Sequence, residues 1–263
     1  MARFHSVLIT GASSGIGRAL AEALAAPGVG LHLGGRDAER LAAVAEACRA
    51  RGASVTARAL DVRDAAAMAA WIEGAGQLSL VVANAGISAG TGDGHEETPE
   101  QVRAVLDTNI DGVLNTVLPA WAAMRAAPPD ARGVRGRIGV VASIAAFVAA
   151  PAAPSYCASK AAVDAWTVAS ASAARRDGVL LTSICPGYVF TPMTARNRFP
   201  MPGMMDAGPA AALILRGLEQ GRRRIAFPWW MAALARFAGA LPPGALAALF
   251  ERMPGKPPMS GQG

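Results

Sequence analysis

The stretch Thr10 to Gly17, T-G-A-S-S-G-I-G, constrains this chain more than any other. An apolar run, Ser6 to Thr10, leads into it, and the helix-forming R-A-L-A-E-A-L-A-A leads out. Strand, glycine turn and helix together aim the free N–H groups of a helix start at a pyrophosphate. Gly11 suits the tight turn, Gly15 a close backbone approach to a phosphate, and Gly17 the packing of helix on strand. The spacing is G-x-x-x-G-x-G rather than the commoner G-x-G-x-x-G. A glycine turn alone is only a turn; its flanking elements make it a nucleotide site.

The same alternation continues along the chain. Gly30 to Gly35 reads as a second strand, followed at once by Arg36. In many dinucleotide folds a carboxylate at this point holds the ribose hydroxyls, and an arginine instead accepts a 2′-phosphate. Gly34 and Gly35 leave no carboxylate, so Arg36 points to NADP(H) over NAD(H); the alternative is a solvent-facing arginine that opens the next helix. Further strands are expected at Ser54 to Leu60, Leu78 to Ala83, the run ending at Ser143, and Val179 to Cys185, with helices between them. Strand–helix alternation of this kind predicts an α/β domain with a parallel sheet, and ligands then gather beyond the carboxyl ends of the strands. Asn109 and Gly112 fall inside a long helix that starts near Pro99. Both are poor mid-helix residues, so this turn is a kink, a functional opening of the backbone, or an untidy helix.

Tyr156 and Lys160 lie four residues apart, on one face of a helix. A nearby ammonium favours the phenolate, so the pair is expected to bring the phenol, ordinarily near pKa 10, toward neutral pH as a general acid or base. Ser143 could hold the same substrate oxygen, though serines at strand ends are also plain turn formers, and a Y-x-x-x-K spacing alone is more often a surface pair.

Taken together, T-G-A-S-S-G-I-G, Asp61-Val62, N-A-G at Asn84, N-x-x-G at Asn109, Ser143, Y-C-A-S-K and P-G-Y-V-F-T-P resemble the short-chain dehydrogenase/reductase family, from about Arg3 to Met193. The resemblance implies a doubly wound Rossmann fold with about seven parallel strands. It implies Tyr156 as general acid/base, Lys160 as its partner and the holder of the nicotinamide ribose, Ser143 on the substrate oxygen, and Asn109 on a relay water. Around the cofactor it places Gly11, Gly15, Ile16 and Gly17; Ser13, Ser14 and Arg36 at the 2′-phosphate; Asp61 and Val62 at the adenine; and Asn84, Ala85 and Gly86 along its border. Pro186, Gly187, Val189 and Thr191 would surround the carboxamide. The implied activity is NADP(H)-dependent hydride transfer between nicotinamide and an apolar ketone or secondary alcohol. A 3-oxoacyl-thioester reductase is the nearest alternative, and a non-catalytic NADP-binding sensor or a membrane-surface protein the alternative of another class. Members usually form homodimers or homotetramers.

Past Met193 the pattern thins. One domain is expected over 1–253, with 194–220 a lid over the substrate, 228–253 a helical extension, and 254–263 a disordered tail. Trp230, Leu234, Phe237 and Leu241 form an apolar helical stripe. It is expected to pack on the domain or a sister subunit; an apolar substrate entrance and a membrane surface remain alternatives. The net charge of +6 is scattered, and aromatic residues, 5% of the chain, are too dispersed for a base-stacking platform, so nucleic acid is not expected. The three cysteines form no C-x-x-C pair and His5, His32 and His95 are isolated, so no metal site is expected. The apolar run at the start is too short for a signal peptide, and a cytoplasmic protein is the expectation.

Overall fold

The computed structural model describes residues 4–92, 96–197 and 199–250; His95 and the expected tail 254–263 lie outside them. Seven strands form one parallel sheet: β1 (Ser6–Thr10), β2 (Gly30–Gly35), β3 (Ser54–Ala59), β4 (Leu80–Ala83), β5 (Gly136–Val141), β6 (Val179–Pro186) and β7 (Arg224–Phe227), in the order β3-β2-β1-β4-β5-β6-β7. The chain reverses direction across the sheet between β1 and β4. This opens a crevice at the carboxyl ends, where a doubly wound sheet binds its ligand.

The strands alternate side chains between two covered faces. Val7 and Ile9 of β1, with Leu31, Leu33, Leu80 and Val82, face α1 (Gly15–Leu24), α2 (Ala38–Arg49) and α7 (Ala207–Glu219). Leu8, Val81, Ile138, Val140 and Leu181 face α3 (Ala65–Gly74), α5 (Gly112–Ala126) and α6 (Pro154–Arg176). Gly34 has a packing cause: a Cβ there would stand 2.5 Å from the Trp71 ring. Gly34, one of the two glycines that leave no acidic residue here, is thus also what lets α3 close on the sheet.

The long helix expected from Pro99 is two helices. α4 (Pro99–Leu106) and α5 are joined by a π-helical turn at Asp107–Asp111, in which the Gly112 N–H donates to the Asp107 carbonyl. Of the three readings left open for Asn109, the backbone opening is the one found, and π-turns of this kind collect at functional positions. A Cβ on Gly112 would meet the Val62 side chain at 2.5 Å, so the glycine lets α5 start against the β3–α3 connection.

After β6 the chain runs through 187–206 before α7. Within the 194–220 segment expected over the substrate, Ala210, Ala211, Ile214 and Leu218 of α7 are fully buried against the sheet. The extension forms α8 (Trp229–Gly239) and α9 (Pro243–Phe250). Of the two surfaces expected to receive its stripe, the parent domain or a sister subunit, the parent domain leaves Leu234 and Phe237 60% and 68% exposed. Met231 and Ala232, on the other side of α8, pack on Ile144 instead. Among the described residues no helix is long and apolar enough to cross a membrane.

Candidate active site

A cavity of about 630 Å³ opens at the carboxyl ends of the strands, and the expected residues other than Gly17 and Asn109 line it. That volume lies within the range of small-molecule and cofactor sites.

The first wall is the turn after β1. Gly11 and Gly15 both hold positive φ, +65° and +56°, which side chains adopt only with strain. Gly17 stands behind them; a Cβ there would press on the Gly11 carbonyl and come within 2.5 Å of Asn84 Nδ2. Asn84 uses that nitrogen to tie the two turns together, donating to the Thr10 carbonyl at 3.0 Å and the Gly11 carbonyl at 3.1 Å. Thr10, fully buried, accepts the Asn84 and Ala85 N–H groups on its hydroxyl. Thr10 carries no motif beyond opening the glycine run, and its role is visible only once β1 and β4 are seen side by side.

The N-terminus of α1 meets the cavity with no side-chain cap: the hydroxyl of Ser14 makes no hydrogen bond to the first turn. By contrast Asp37, Asp64 and Thr98 cap α2, α3 and α4. Uncapped N–H groups at the positive end of a helix, beside two left-handed glycines, fit a pyrophosphate.

At the adenosine end stand Ser13, Arg36, Asp37, Arg40 and Asp61. Asp37, the nearest carboxylate after β2, is occupied: it accepts from the Arg40 backbone N–H at 2.9 Å and from Arg40 Nε at 2.6 Å. Arg36 is exposed and borders the cavity. Arg40, one helical turn on, is a cation that sequence reasoning passed over, though the i, i+4 spacing from Arg36 could have found it. The Asp61 carboxyl is held below the usual range by the guanidinium of Arg63, with Arg36 adding to the effect.

The opposite end carries the hydroxyls. Ser143 stands two residues beyond β5 and begins the 3-10 turn Ile144–Phe147, accepting the Ala145 N–H on Oγ at 3.1 Å. The turn-former reading therefore holds for it, and the residue also lines the cavity. Tyr156, near the start of α6, hydrogen-bonds to the Ser143 side chain. Lys160, one turn on and 4% exposed, donates to the Val141 carbonyl at 2.8 Å, and its Nζ lies 5.9 Å from the Tyr156 ring centre. The near-neutral phenol expected from this pairing is corrected. Burial pushes Tyr156 up to about 12, with the Ser143 hydrogen bond pulling the other way. Desolvation is the larger effect on this hydroxyl: taking the phenolate out of water costs more than the Ser143 hydrogen bond returns.

Asn109 lies behind the cavity and is fully buried. Its amide accepts the Ile87 N–H at 2.9 Å and donates to the Ile87 carbonyl at 2.9 Å and to Ser159 Oγ at 3.0 Å. A Cβ on Gly86 would stand 3.0 Å from Asn109 Oδ1 and 3.4 Å from Lys160 Nζ, so Asn109, Lys160 and the N-A-G turn do converge. The amide's own partners are the turn after Gly86 and α6, which makes Asn109 first a clamp between them. Pro186, Gly187, Val189 and Thr191 close the cavity beyond β6, and a Cβ on Gly15 would meet Thr191 Cγ2 at 2.9 Å.

The comparisons with known proteins agree with this geometry. A family model described as short chain dehydrogenase matches residues 5–200. An uncharacterized oxidoreductase of Myxococcus xanthus is 37% identical over 246 residues, spanning 91% of this chain and 93% of its own. The crystal structure of a short chain dehydrogenase/reductase from Burkholderia phymatum in complex with NAD superposes with a TM-score of 0.78 at 26% identity, over 97% of this chain and 98% of that one. A 3-oxoacyl-[acyl-carrier protein] reductase with bound NAD from Brucella melitensis matches with a TM-score of 0.72 at 26% identity, over 85% and 89%. A sheet wound from this order of strands, a glycine turn and a Ser143–Tyr156–Lys160 set at its open end, and a family match across most of the length lead to one conclusion: the chain belongs to the short-chain dehydrogenase/reductase family of oxidoreductases.

Proposed function

We propose that this chain is an NADP(H)-dependent reductase of apolar ketones, or the dehydrogenase of the corresponding secondary alcohols. The observation that carries the reading is the Ser143–Tyr156 hydroxyl pair, held beside buried Lys160 at one end of a cavity whose other end presents Arg36 and Arg40. When bound, a reduced nicotinamide supplies the hydride to the carbonyl carbon. The protein's own part is to orient and to move a proton. Ser143 donates to, or accepts from, the substrate oxygen. Tyr156, protonated at neutral pH as an ordinary phenol is and more so as burial raises its pKa, gives that oxygen its proton. Lys160 fixes the helix face by its bond to Val141 and stands where a cation favours the phenolate left behind. Asn109 holds the Gly86 turn against Ser159 and α6. Arg36, with no free carboxylate beside it, favours the cofactor that bears a 2′-phosphate; Asp37 is already engaged by Arg40.

The test is a panel of ketones and alcohols followed by nicotinamide absorbance, run with NADPH and with NADH. Faster turnover with NADPH is expected, and a preference for NADH would refute the reading of Arg36. Tyr156→Phe should abolish turnover and leave NADPH binding intact; unchanged turnover would refute the role of the phenol. A second reading, reduction of 3-oxoacyl thioesters, draws on the likeness to the Brucella melitensis enzyme. It is favoured if thioesters outpace simple ketones of equal chain length.

A further inference from the structure

The helix that carries Tyr156 begins without a cap of its own. Its N-cap residue is Ala153, which has no side-chain acceptor, and Pro154 follows in the first turn. The next N–H belongs to Ser155, 5% exposed and adjacent to Tyr156. A buried N–H at this position needs a partner. The partner comes from 58 residues away: Glu97 accepts the Ser155 N–H on Oε2 at 2.9 Å and the Ser155 hydroxyl on Oε1 at 2.8 Å. A carboxylate at this end also suits the helix dipole.

Glu97 stands at the end of the loop that leaves the cavity at Ile87. That loop is tied down at several points. Asn109 holds Ile87 by two hydrogen bonds, Gln101 Nε2 donates to the Gly90 carbonyl at 3.1 Å, and the Thr91 N–H donates to the Ala152 carbonyl at 3.1 Å. Thr98, the residue after Glu97, caps α4. Neighbouring residues therefore cap two different helices, and one of them bears the phenol.

We propose that Glu97 is a positioning residue for the reaction: it caps α6 from outside and thereby holds the Tyr156 hydroxyl against Ser143. The proposal rests on the reading of Tyr156 as proton donor given above. Its effect is local. Tyr156 is in the first turn, where a missing cap lets the backbone fray. Lys160 is one turn deeper, inside the hydrogen-bond ladder and anchored on Val141. Loss of Glu97 should therefore disturb the phenol and spare the residues that hold the cofactor.

The test compares full-length wild type, Glu97→Ala and Glu97→Gln, by steady-state kinetics with the best ketone, by NADPH titration, and by amide hydrogen exchange across residues 154–160. In the alanine variant kcat should fall about tenfold, with the NADPH Kd within twofold of wild type and exchange across 154–160 at least tenfold faster. Glutamine keeps an acceptor for the Ser155 N–H and a donor for its hydroxyl, and should restore most of kcat and of the slow exchange. Unchanged exchange or unchanged kcat in the alanine variant overturns the proposal. So does a parallel loss of NADPH binding, which would indicate general unfolding, or a glutamine variant as impaired as alanine, which would assign the effect to charge. A wild-type chain that reduces none of the ketones defeats the reading of the reaction, and the exchange measurement then decides the cap by itself.

Discussion

An ordinary phenol with a pKa of about 10 is roughly three-quarters ionised at about pH 10.5, whereas one at 12 is only about 3% ionised. The chain has two tyrosines, Tyr156 and Tyr188. Burial pushes Tyr156 up to about 12 and raises Tyr188 as well. The difference is readable in the folded state as tyrosinate absorbance near 295 nm, and in stability through linkage. Below about pH 10 the folded and unfolded chains both keep the Tyr156 proton, so this group adds no pH dependence there. Between about 10 and 12 the unfolded chain loses the proton and the folded one keeps it. The folded state then binds more protons, and stability falls as pH rises. Two pK units at about 1.36 kcal/mol each give about 2.7 kcal/mol lost above pH 12, and about half of that, roughly 1.4 kcal/mol, by pH 11. Urea unfolding of wild type and Tyr156→Phe, each at pH 8 and pH 11, isolates the group. Ionisable groups remote from residue 156 contribute alike in both proteins and cancel. Wild type should lose about 1.4 kcal/mol more than the variant over that interval. Equal losses, or a folded wild type that shows both phenolates by pH 10.5, would refute the claim that burial outweighs Lys160 at this hydroxyl.

Other consequences are open to measurement. Asp164, 5% exposed, accepts two hydrogen bonds from Arg224, at 2.9 and 2.7 Å, and one from Ser183 at 2.6 Å; Asp164→Asn should cost about 3–5 kcal/mol and lower Tm by about 6–10 °C, and a shift under about 2 °C would show that the pair is not a real tie between α6 and β7. Glu46 on α2 is 73% exposed in its pair with Arg49, so Glu46→Ala should change stability by less than about 0.5 kcal/mol in the same assay. Gly17→Ala must part α1 from the Gly11 turn, and NADPH affinity measured by tryptophan fluorescence should fall well over tenfold; wild-type affinity would mean that the turn does not hold the cofactor. Arg36→Ala should reduce kcat/KM for NADPH by about 10- to 150-fold, the worth of a charge-assisted hydrogen bond, and leave NADH use within a few-fold.

Much of the site was legible because its chemistry is tied to backbone needs that leave a mark in the sequence. Gly11 and Gly15 show themselves through the left-handed turn, and Asn109 with Gly112 through their unsuitability for a helix, which the π-turn explains. Tyr156 and Lys160 show through helical spacing. What stayed hidden depends on strands or loops distant in sequence. Thr10 matters because β4 lies beside β1, and Glu97 because a loop returns to the start of α6. The Asp164–Arg224 pair needs β7 to lie against β6. The expected lowering of the Tyr156 pKa was read from spacing, which places an ammonium near a ring but carries no signal of the desolvation that raises it. The α8 stripe was legible as apolar, but not that Met231, Ala232 and Ala238 supply a second apolar face of the same helix and take the place against the domain.

The strand order has a bearing on how such a chain can change. The residues proposed above to distinguish one cofactor from another, from Ser13 to Val62, hang on the β3-β2-β1 side of the sheet; the hydroxyls and the lysine come from the side that begins at β4. The two groups meet only across the gap at the sheet's middle. Grafting the segment 30–63 from a relative with the opposite cofactor preference should therefore exchange that preference and leave the choice of ketone as it was, so that each trait can drift, or be redesigned, without disturbing the other.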